Sequence, residues 1–326
     1  MSDRRPVYLV DGTRTPFLKA RGKPGSFYAA DLAINAGRAL LLRQPTIPAG
    51  AFDEVIFGCV SPTADESNIA RIIALRLGCG EKTPAFTVQR NCASGMNAVD
   101  SACRNIAHGY SDLILAGGVE AMSHTPLLFK ESMVNWLADW NMAKSTGAKL
   151  KALKSFKPTN FAPVIALLRG LRDPVVGLNM GQTAEKIAYR FGISRDEMDA
   201  FSVQSHQRLG SAIEQGFHSE VVSLYTPSGA ALTSDDGLRA DSSVEKLAKL
   251  RAVFDKPAGK VTAGNSAQIT DGAACLILAS EEAIERYQLP VLAQLHPAQW
   301  AGVDPAQMGL GPVHAIAQTL VEHQLP

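Results

Sequence analysis

Two periodicities alternate through the first third of the chain. Residues 6–10, 54–58, 85–88 and 113–120 are short apolar runs bounded by turn-forming residues, the pattern of β-strands. Between them, residues 29–42 place Leu32, Ala33, Ala36 and Leu40 on one helical face. Residues 68–77 also read as a helix, with Gly78 and Gly80 fitting its end. From Met96 onward, Ala98, Val99, Ala102, Cys103 and Ile106 recur at i, i+3 and i+4. Strands alternating with helices at this spacing predict parallel βαβ crossovers and a mixed, mostly parallel α/β sheet covered on both faces. Past Met122 the alternation gives way to helices and proline-containing loops until about Pro257. It resumes with a buried strand over 271–279 and a short helix over 281–287. A further strand starts at 290–295 and a helix runs over 312–323. The expected organisation is one layered core domain from 1–121 and 258–282, an insertion over 122–257, and the start of an incomplete further domain over 283–326. Residues 113–119 and 274–279 are expected in the same sheet.

Composition narrows the classes of function. A chain of 326 residues has room for two domains or one large layered one. A hydrophobic fraction of 46% with 19% charged residues describes a globular protein, and a net charge of +1 gives no pull toward nucleic acid. Cys59, Cys79, Cys92, Cys103 and Cys275 are odd in number and contain no Cys-x-x-Cys pair, so reduced thiols are expected rather than a zinc site or a disulfide framework. The start, Met1-Ser2-Asp3-Arg4-Arg5-Pro6, leads directly into the first strand with no secretory apolar region, and no apolar run is long enough to span a bilayer. A cytoplasmic location is the expectation. Charge is concentrated in one place: Lys144, Lys149, Lys151, Lys154 and Lys157 follow one another with no acid among them. An apolar patch at 161–168, edged by Arg169 and Arg172, comes next. The stretch 144–172 is either a solvated face or a basic amphipathic surface for membrane lipid or a partner protein.

Chemistry concentrates at Cys92. It sits where the strand ending near Val88 hands over to a helix, through the small and polar turn 91–95. Unpaired backbone N–H groups and the positive end of the helix dipole point at such a position. A thiol there loses its proton more readily, and the thiolate is the nucleophile. The same N–H groups suit the oxyanion of an acyl-transfer intermediate. Against this stands the plain alternative of a small buried hydrophobe. Arg14 suits a carboxylate or phosphate, or simply pins its loop. Ser194 and Glu197 form a capping-box pattern opening a helix to about Gln215, in which His206 lies among polar neighbours as a structural residue.

The segment Asn91-Cys92-Ala93-Ser94-Gly95-Met96-Asn97-Ala98 resembles the nucleophile segment of the thiolases, which cleave or form 3-oxoacyl-CoA. Further blocks similar to that family follow in order: Val10-Asp11-Gly12-Thr13-Arg14-Thr15-Pro16-Phe17, Ala116-Gly117-Gly118-Val119-Glu120-Ala121-Met122-Ser123, and Met180-Gly181-Gln182-Thr183-Ala184-Glu185. Thr262-Ala263-Gly264-Asn265, Asp271-Gly272-Ala273-Ala274 and Met308-Gly309-Leu310-Gly311-Pro312 complete the series. The resemblance implies an α/β layered α-β-α-β-α thiolase fold and an acyl-Cys92 intermediate in fatty-acid β-oxidation. It also implies coenzyme A as substrate, with no tightly bound cofactor and no metal. It places Arg239 near the adenine and phosphates of CoA, Ala263, Gly264 and Ala267 beside the pantetheine arm, and Met180 and Met308 at the substrate. Ala267 stands where the family often has serine, Gln268 where glycine is common, and Asn179 where many short-chain thiolases have histidine. The last favours a medium or long acyl chain. Residues 122–257 resemble the β-subunit type of the trifunctional β-oxidation complexes, implying a homodimer or tetramer, a hydratase/dehydrogenase α-subunit as partner, and peripheral membrane contact through 144–172.

Family chemistry further uses a Gly-His-Pro segment, an Asn- or His-Glu-Ala-Phe segment and a second cysteine in a glycine-rich loop. None of these is in the sequence, and neither His124 nor His314 stands in a matching motif. The expectation is the N-terminal part of a full thiolase, turning over little alone. Two alternatives are a ketoacyl synthase relative, which needs two downstream histidines and lacks the Thr-Ala-Gly-Asn loop, and a non-catalytic acyl-CoA-binding or assembly fragment.

Overall fold

Alternation along two strands explains how the chain builds two apolar layers on one sheet. In the computed structural model, which describes residues 5–325, β1 (Val7–Arg14) and the short β2 (Leu18–Lys19) precede α1 (Ala29–Arg43). β3 (Glu54–Gly58), α2 (Ile69–Leu77), β4 (Ala85–Val88), α3 (Ser94–Ala107) and β5 (Leu113–Ala121) follow. The expectation that Met1 to Arg4 leads directly into a strand lies outside the described residues.

Val55 and Phe57 of β3 and Leu113 and Leu115 of β5 face one way, into a cluster with Leu32, Leu40, Ile69 and Ile73 of α1 and α2. Ile56, Ile114 and Ala116 face the other way, against Ala98, Ala102, Cys103 and Ile106 of α3. Side chains alternate across a strand, so one apolar run serves two layers. Each large aliphatic or aromatic side chain so buried contributes about 1.5–3 kcal/mol. Gly78 ends α2 in the left-handed conformation (φ 84°), as its position in the sequence suggests.

After β5 a second compact unit spans Thr125–Met180. It holds the pair β6 (Leu127–Leu128) and β7 (Val164–Ile165), with α4 (Glu131–Met142), α5 (Thr146–Ser155) and α6 (Ala166–Gly170). Its centre is aromatic. Trp136 stacks on Trp140 at 5.8 Å and meets Phe156 edge-on at 4.8 Å, while its indole N–H donates to the Ala152 carbonyl at 2.8 Å. Lys149 lies over the Trp140 ring, and Leu150, Leu153, Phe161 and Leu168 are exposed.

The remainder clusters with the first unit. It comprises α7 (Met180–Arg190), α8 (Arg195–Glu214), the β8 (Leu224–Tyr225) and β9 (Ala231–Leu232) pair, and α9 (Val244–Ala248). β10 (Thr270–Ala279), α10 (Glu281–Tyr287), β11 (Ala293–Leu295) and α11 (Gly311–Glu322) complete it. The Ser194–Glu197 capping box is present. The insertion expected over 122–257 is therefore divided: 125–180 is compact by itself, while 181–257 belongs to the larger unit. Buried acids account for the second part, since Glu185 accepts the N–H groups of Lys260 and Val261, and Asp199 accepts the Asn265 amide. Residues 283–326 also cluster with the larger unit, β11 pairing with β1 rather than starting a separate layer.

The main sheet runs β11-β1-β10-β5-β3-β4, with β2 beside β10. Only β3–β4 and β3–β5 are parallel; β10 lies antiparallel between β1 and β5, and β11 antiparallel to β1. The expectation of a mostly parallel sheet is corrected in this respect. The strands joined by α1, α2 and α3 do share one direction, as right-handed crossovers require, but a late strand enters between two of them running the other way. β5 and β10 are direct neighbours, so 113–119 and 274–279 share a sheet as expected.

Arg14, read as either an anion site or a loop pin, is a pin. Its guanidinium forks onto Asp235 at 2.7 and 3.1 Å and reaches Glu220 at 3.1 Å. Burial works to raise the Asp235 carboxyl, but the Arg14 hydrogen bonds and the Phe17 N–H outweigh it and hold it below the usual carboxylate range. Two outcomes are expected in urea unfolding. Arg14→Ala leaves the half-buried Asp235 carboxylate with the Phe17 N–H but without its guanidinium fork, and costs about 1–3 kcal/mol. Because the native Asp235 ionises below its unfolded counterpart, its contribution is complete above about pH 4 and is lost as the pH falls through the native value; Asp235→Asn removes that portion of the acid dependence.

Candidate active site

Cys92 stands in a turn that two strands make room for. β3 ends at Gly58 and β5 carries Gly118 directly opposite it in register. A Cβ on Gly58 would collide with the Ser94 carbonyl and lie 2.5 Å from the Gly95 nitrogen, and one on Gly118 would lie 2.9 Å from the Gly95 Cα. Side chains at either position would push the start of α3 off the sheet. The turn is closed by Ser94, which is buried: its hydroxyl accepts the Arg90 N–H at 2.8 Å and donates to the Asn91 carbonyl at 2.6 Å. Asn91 adopts φ 45°, a left-handed backbone that asparagine tolerates better than most residues. The helix begins at Ser94, two residues ahead of the sequence-based start at Met96. Ala93 at the cap offers no side chain to the first-turn N–H groups. The Ala93 and Ser94 N–H groups already donate to the Arg90 and Asn91 carbonyls, each at 3.0 Å, so only the later donors of the first turn are left for whatever occupies the space beside Cys92.

The five cysteines divide sharply. Cys92 is exposed, whereas Cys59, Cys79, Cys103 and Cys275 are buried. Burial pushes the Cys79 thiol up to about 11 and Cys103 up to about 12, and it raises Cys59 and Cys275 as well. The alternative of Cys92 as a buried hydrophobe is not what the structure shows.

Glu120, unnoticed in the sequence except as part of a strand block, closes the same end of the sheet. Its carboxylate accepts the N–H groups of Val60 and Ser61, each at 2.9 Å, and the Cys59 thiol at 3.6 Å. Burial raises its carboxyl, with those three donors pulling the other way. It stands two positions after Gly118 and so on the same face of β5. The available signal was an acid at the end of an otherwise apolar strand. Asp100 was missed similarly. It is an acid on the buried stripe of α3, three residues before Cys103, and it accepts the Trp300 indole N–H and the Ala298 N–H, each at 2.9 Å.

The residues expected at CoA form a second group. Arg239 is exposed, and its backbone N–H donates to His206 Nδ1 at 3.3 Å, giving His206 the structural part expected of it. Gln268 donates to the Gly237 carbonyl at 3.0 Å, tying the loop of Ala263, Gly264 and Ala267 to the turn that carries Arg239. That loop is held by Asn265, whose carbonyl oxygen accepts the Thr262 N–H while its amide reaches Asp199 and the Lys260 carbonyl. Ala263 and Ala267 are exposed, and Gly264 is half-buried against Leu247 and Leu250 of and beside α9. A cavity of about 340 Å³ beside the loop is lined by Ile193, Glu197, Met198, Phe201, Ser202 and Asn265. Met308 is exposed on the 3-10 segment Pro305–Leu310, next to a cavity of about 330 Å³ whose lining includes Arg190, Trp300, Gln307 and His314. Met180 is half-buried at the first position of α7. No hydrogen bond or ion pair among the described residues joins Cys92 to Arg239, Ala263, Gly264 or Ala267. Among the same residues no cluster of three potential ligands could hold a metal, and no helix is long and apolar enough to cross a membrane.

The fold that carries this cysteine is shared with known proteins. The pattern of the thiolase N-terminal domain matches residues 7–282, and the chain belongs to the thiolase family. It is 38% identical over 318 residues to the mitochondrial trifunctional enzyme subunit beta of Homo sapiens, covering 97% of this chain and 66% of that protein. It is 35% identical over 315 residues to a 3-ketoacyl-CoA thiolase of Yersinia pestis (strain Pestoides F), covering 95% and 71%. Among solved structures, human mitochondrial 3-ketoacyl-CoA thiolase in complex with CoA superimposes with a TM-score of 0.83 at 31% identity, covering 97% of this chain and 75% of that one. The acetyl-CoA acetyltransferase of Bacillus anthracis gives 0.86 at 31%, covering 100% and 78%. The chain thus spans about two thirds of the trifunctional beta subunits it matches.

Limited alkylation tests the thiol assignment. At substoichiometric iodoacetamide, peptide mapping is expected to find the label on Cys92 ahead of the other four cysteines, whose thiolates are suppressed by burial. Preferential labelling of any buried cysteine in the folded protein contradicts it. Gly58→Ala is expected to destabilise by about 1–3 kcal/mol, because the added carbon overpacks the turn against β3, and to alter that labelling rate.

Proposed function

We propose that this chain is the nucleophile-bearing part of a thiolase that splits 3-oxoacyl-CoA with coenzyme A. In this reading the Cys92 thiolate attacks the 3-keto carbon, and the bond between C2 and C3 breaks to leave an acyl thioester on Cys92 and an acetyl-CoA carbanion that takes up a proton. The thiol of the second CoA then attacks the Cys92 thioester, releasing the shortened acyl-CoA and regenerating the thiolate. The observation that carries the proposal is the exposed Cys92 on its glycine-supported turn at the uncapped start of α3. First-turn N–H groups there suit the oxyanion of the addition step. Arg239 and the loop of Ala263, Gly264 and Ala267, tied together through Gln268, form the surface assigned to CoA, an arginine fork being well matched to phosphate.

Two further acid/base groups are needed, one to ionise Cys92 and one for the proton at C2 of the acetyl unit. No side-chain hydrogen bond to Cys92 Sγ occurs among the described residues. Groups that act as a unit lose most of their effect when one is removed, so these 326 residues alone are proposed to turn over slowly. A chain continued with Gly-His-Pro and second-cysteine segments is proposed to be active. The β-subunit likeness, with Asn179, supports a medium or long acyl chain and an α-subunit partner, and the basic and apolar surface of α5 and α6 supports contact with a membrane face.

The assay follows loss of the 3-oxoacyl-CoA enolate absorbance on adding CoA. Little change is expected with the 326-residue chain, clear turnover with the continued chain, and loss of at least about a thousandfold with Cys92→Ser, since serine without a dedicated base is a far weaker nucleophile. Turnover that survives Cys92→Ser refutes the acyl-Cys92 route. Binding of CoA by both chains with turnover by neither favours the non-catalytic acyl-CoA-binding reading instead.

A further inference from the structure

Arg90, two residues before Cys92, is exposed on the chain but not free. Its guanidinium lies 3.8 Å over the ring of Trp300. Trp300 is held from below by α3, the helix that starts at the nucleophile turn. Its indole N–H donates to Asp100 Oδ2 at 2.9 Å, and the neighbouring Ala298 N–H donates to Asp100 Oδ1 at 2.9 Å. Arg104 completes the set, pairing with Asp100 at 2.9 Å and donating to the Ala298 carbonyl at 3.3 Å. Asp100 is buried, so its two oxygens are committed to this one task. The loop between β11 and α11 thus reaches back across α3 and lays an aromatic ring against the residue that enters the Cys92 turn.

We propose that Trp300, fixed by Asp100, acts through Arg90 as a positioning residue for the Cys92 nucleophile. The turn contains a left-handed non-glycine residue, Asn91, and hangs on one side from the Ser94 hydroxyl, which accepts the Arg90 N–H. A left-handed backbone persists where the surroundings over-determine it. The Ser94 hydroxyl fixes the main chain of Arg90, and the Trp300 ring fixes its side chain. Together they hold the turn so that Cys92 stays within the field of the α3 N-terminus, which falls off within one helical turn. Trp300 itself touches neither the thiol nor, in this account, the substrate.

The proposal rests on the reading of Cys92 as the nucleophile, and its test uses a readout that needs neither CoA nor turnover. Cys92 alkylation is followed by peptide mapping from pH 6 to 10, with thermal unfolding measured in parallel. Trp300→Ala changes no charge. It is expected to move the pH midpoint of Cys92 alkylation upward and to slow the reaction near pH 7 about fivefold, the scale of one lost cation–π contact. Trp300→Phe keeps a ring for the guanidinium but loses the indole N–H that Asp100 holds, and is expected to recover the rate only in part. In an Arg90→Gln background, Trp300→Ala is expected to add nothing, because the coupling runs through Arg90. If Trp300→Ala does not fold, Asp100→Asn, which keeps the volume and weakens the hold on the indole, is expected to shift the midpoint in the same direction. A wild-type midpoint in Trp300→Ala or Asp100→Asn overturns the proposal, even if the melting temperature falls, since that combination describes a purely structural contact. An equal shift in the Arg90→Gln background overturns the route through Arg90. Thiolysis that fails in the continued chain while Cys92 reactivity still depends on Trp300 counts against the proposed function and leaves the positioning role standing; the reverse pattern does the opposite.

Discussion

Everything at this site depends on two backbones approaching more closely than any side chain allows. Gly58 and Gly118 face each other in the parallel pairing of β3 and β5, and the first turn of α3 lies against both. Strand register and helix placement are therefore a single constraint. A one-residue slip between β3 and β5 would put Phe57 or Val119 where the helix must sit. The same register brings Glu120 to the backbone of Val60 and Ser61, so the chain leaving β3 is fixed by the strand that supplies the second glycine. The apolar packing of α3 on Ile56, Ile114 and Ala116 then holds the helix axis toward the turn.

A contrast runs between the two groups of expected site residues. Cys92 is placed by main chain against main chain, with rigid strands beneath it. Arg239, Ala263 and Gly264 are placed by side-chain hydrogen bonds, those of His206 and Asp199 from elsewhere and those of Asn265 and Gln268 within the loop itself. A reacting atom suits the first arrangement, where positions are set to fractions of an ångström. A long cofactor-like substrate tolerates the second, where several loops each hold one part of it.

The division of legible from illegible follows the range of the interactions. The Cys92 turn could be read because its signals are local: β-formers up to Val88, small residues from Ala93 to Gly95, then helical spacing through Ile106. Most strands and helices of residues 5–121 could be read for the same reason, but β1 runs on to Arg14, beyond the strand expected over 6–10, and the short β2 was not expected. The direction of β10 could not, because nothing within its own sequence of alternating apolar residues tells parallel from antiparallel, and its partners lie far back in the chain. The compact unit at Thr125–Met180 was hidden inside a longer irregular stretch, its boundary at Met180 falling at the start of a helix rather than at a proline or glycine linker. Trp300 and Asp100 carried no motif at all. An aromatic in a loop and an acid on a helix become a pair only when the chain folds back.

The place of β10 bears on the order in which the molecule assembles. β1 and β5 are both made early in the chain, and both present a bare edge toward the position that β10 will fill. Until Thr270–Ala279 arrives, β5 can pair only with β3, and β1 has no neighbour in the sheet except the still later β11. Closure of the sheet thus waits on contacts of long sequence separation, the kind that slows folding and leaves strand edges open to other chains in the meantime. On a ribosome, which extends the chain at about 5–20 residues per second, the Cys92 turn and its helix would emerge well before the strand that locks the sheet beneath them.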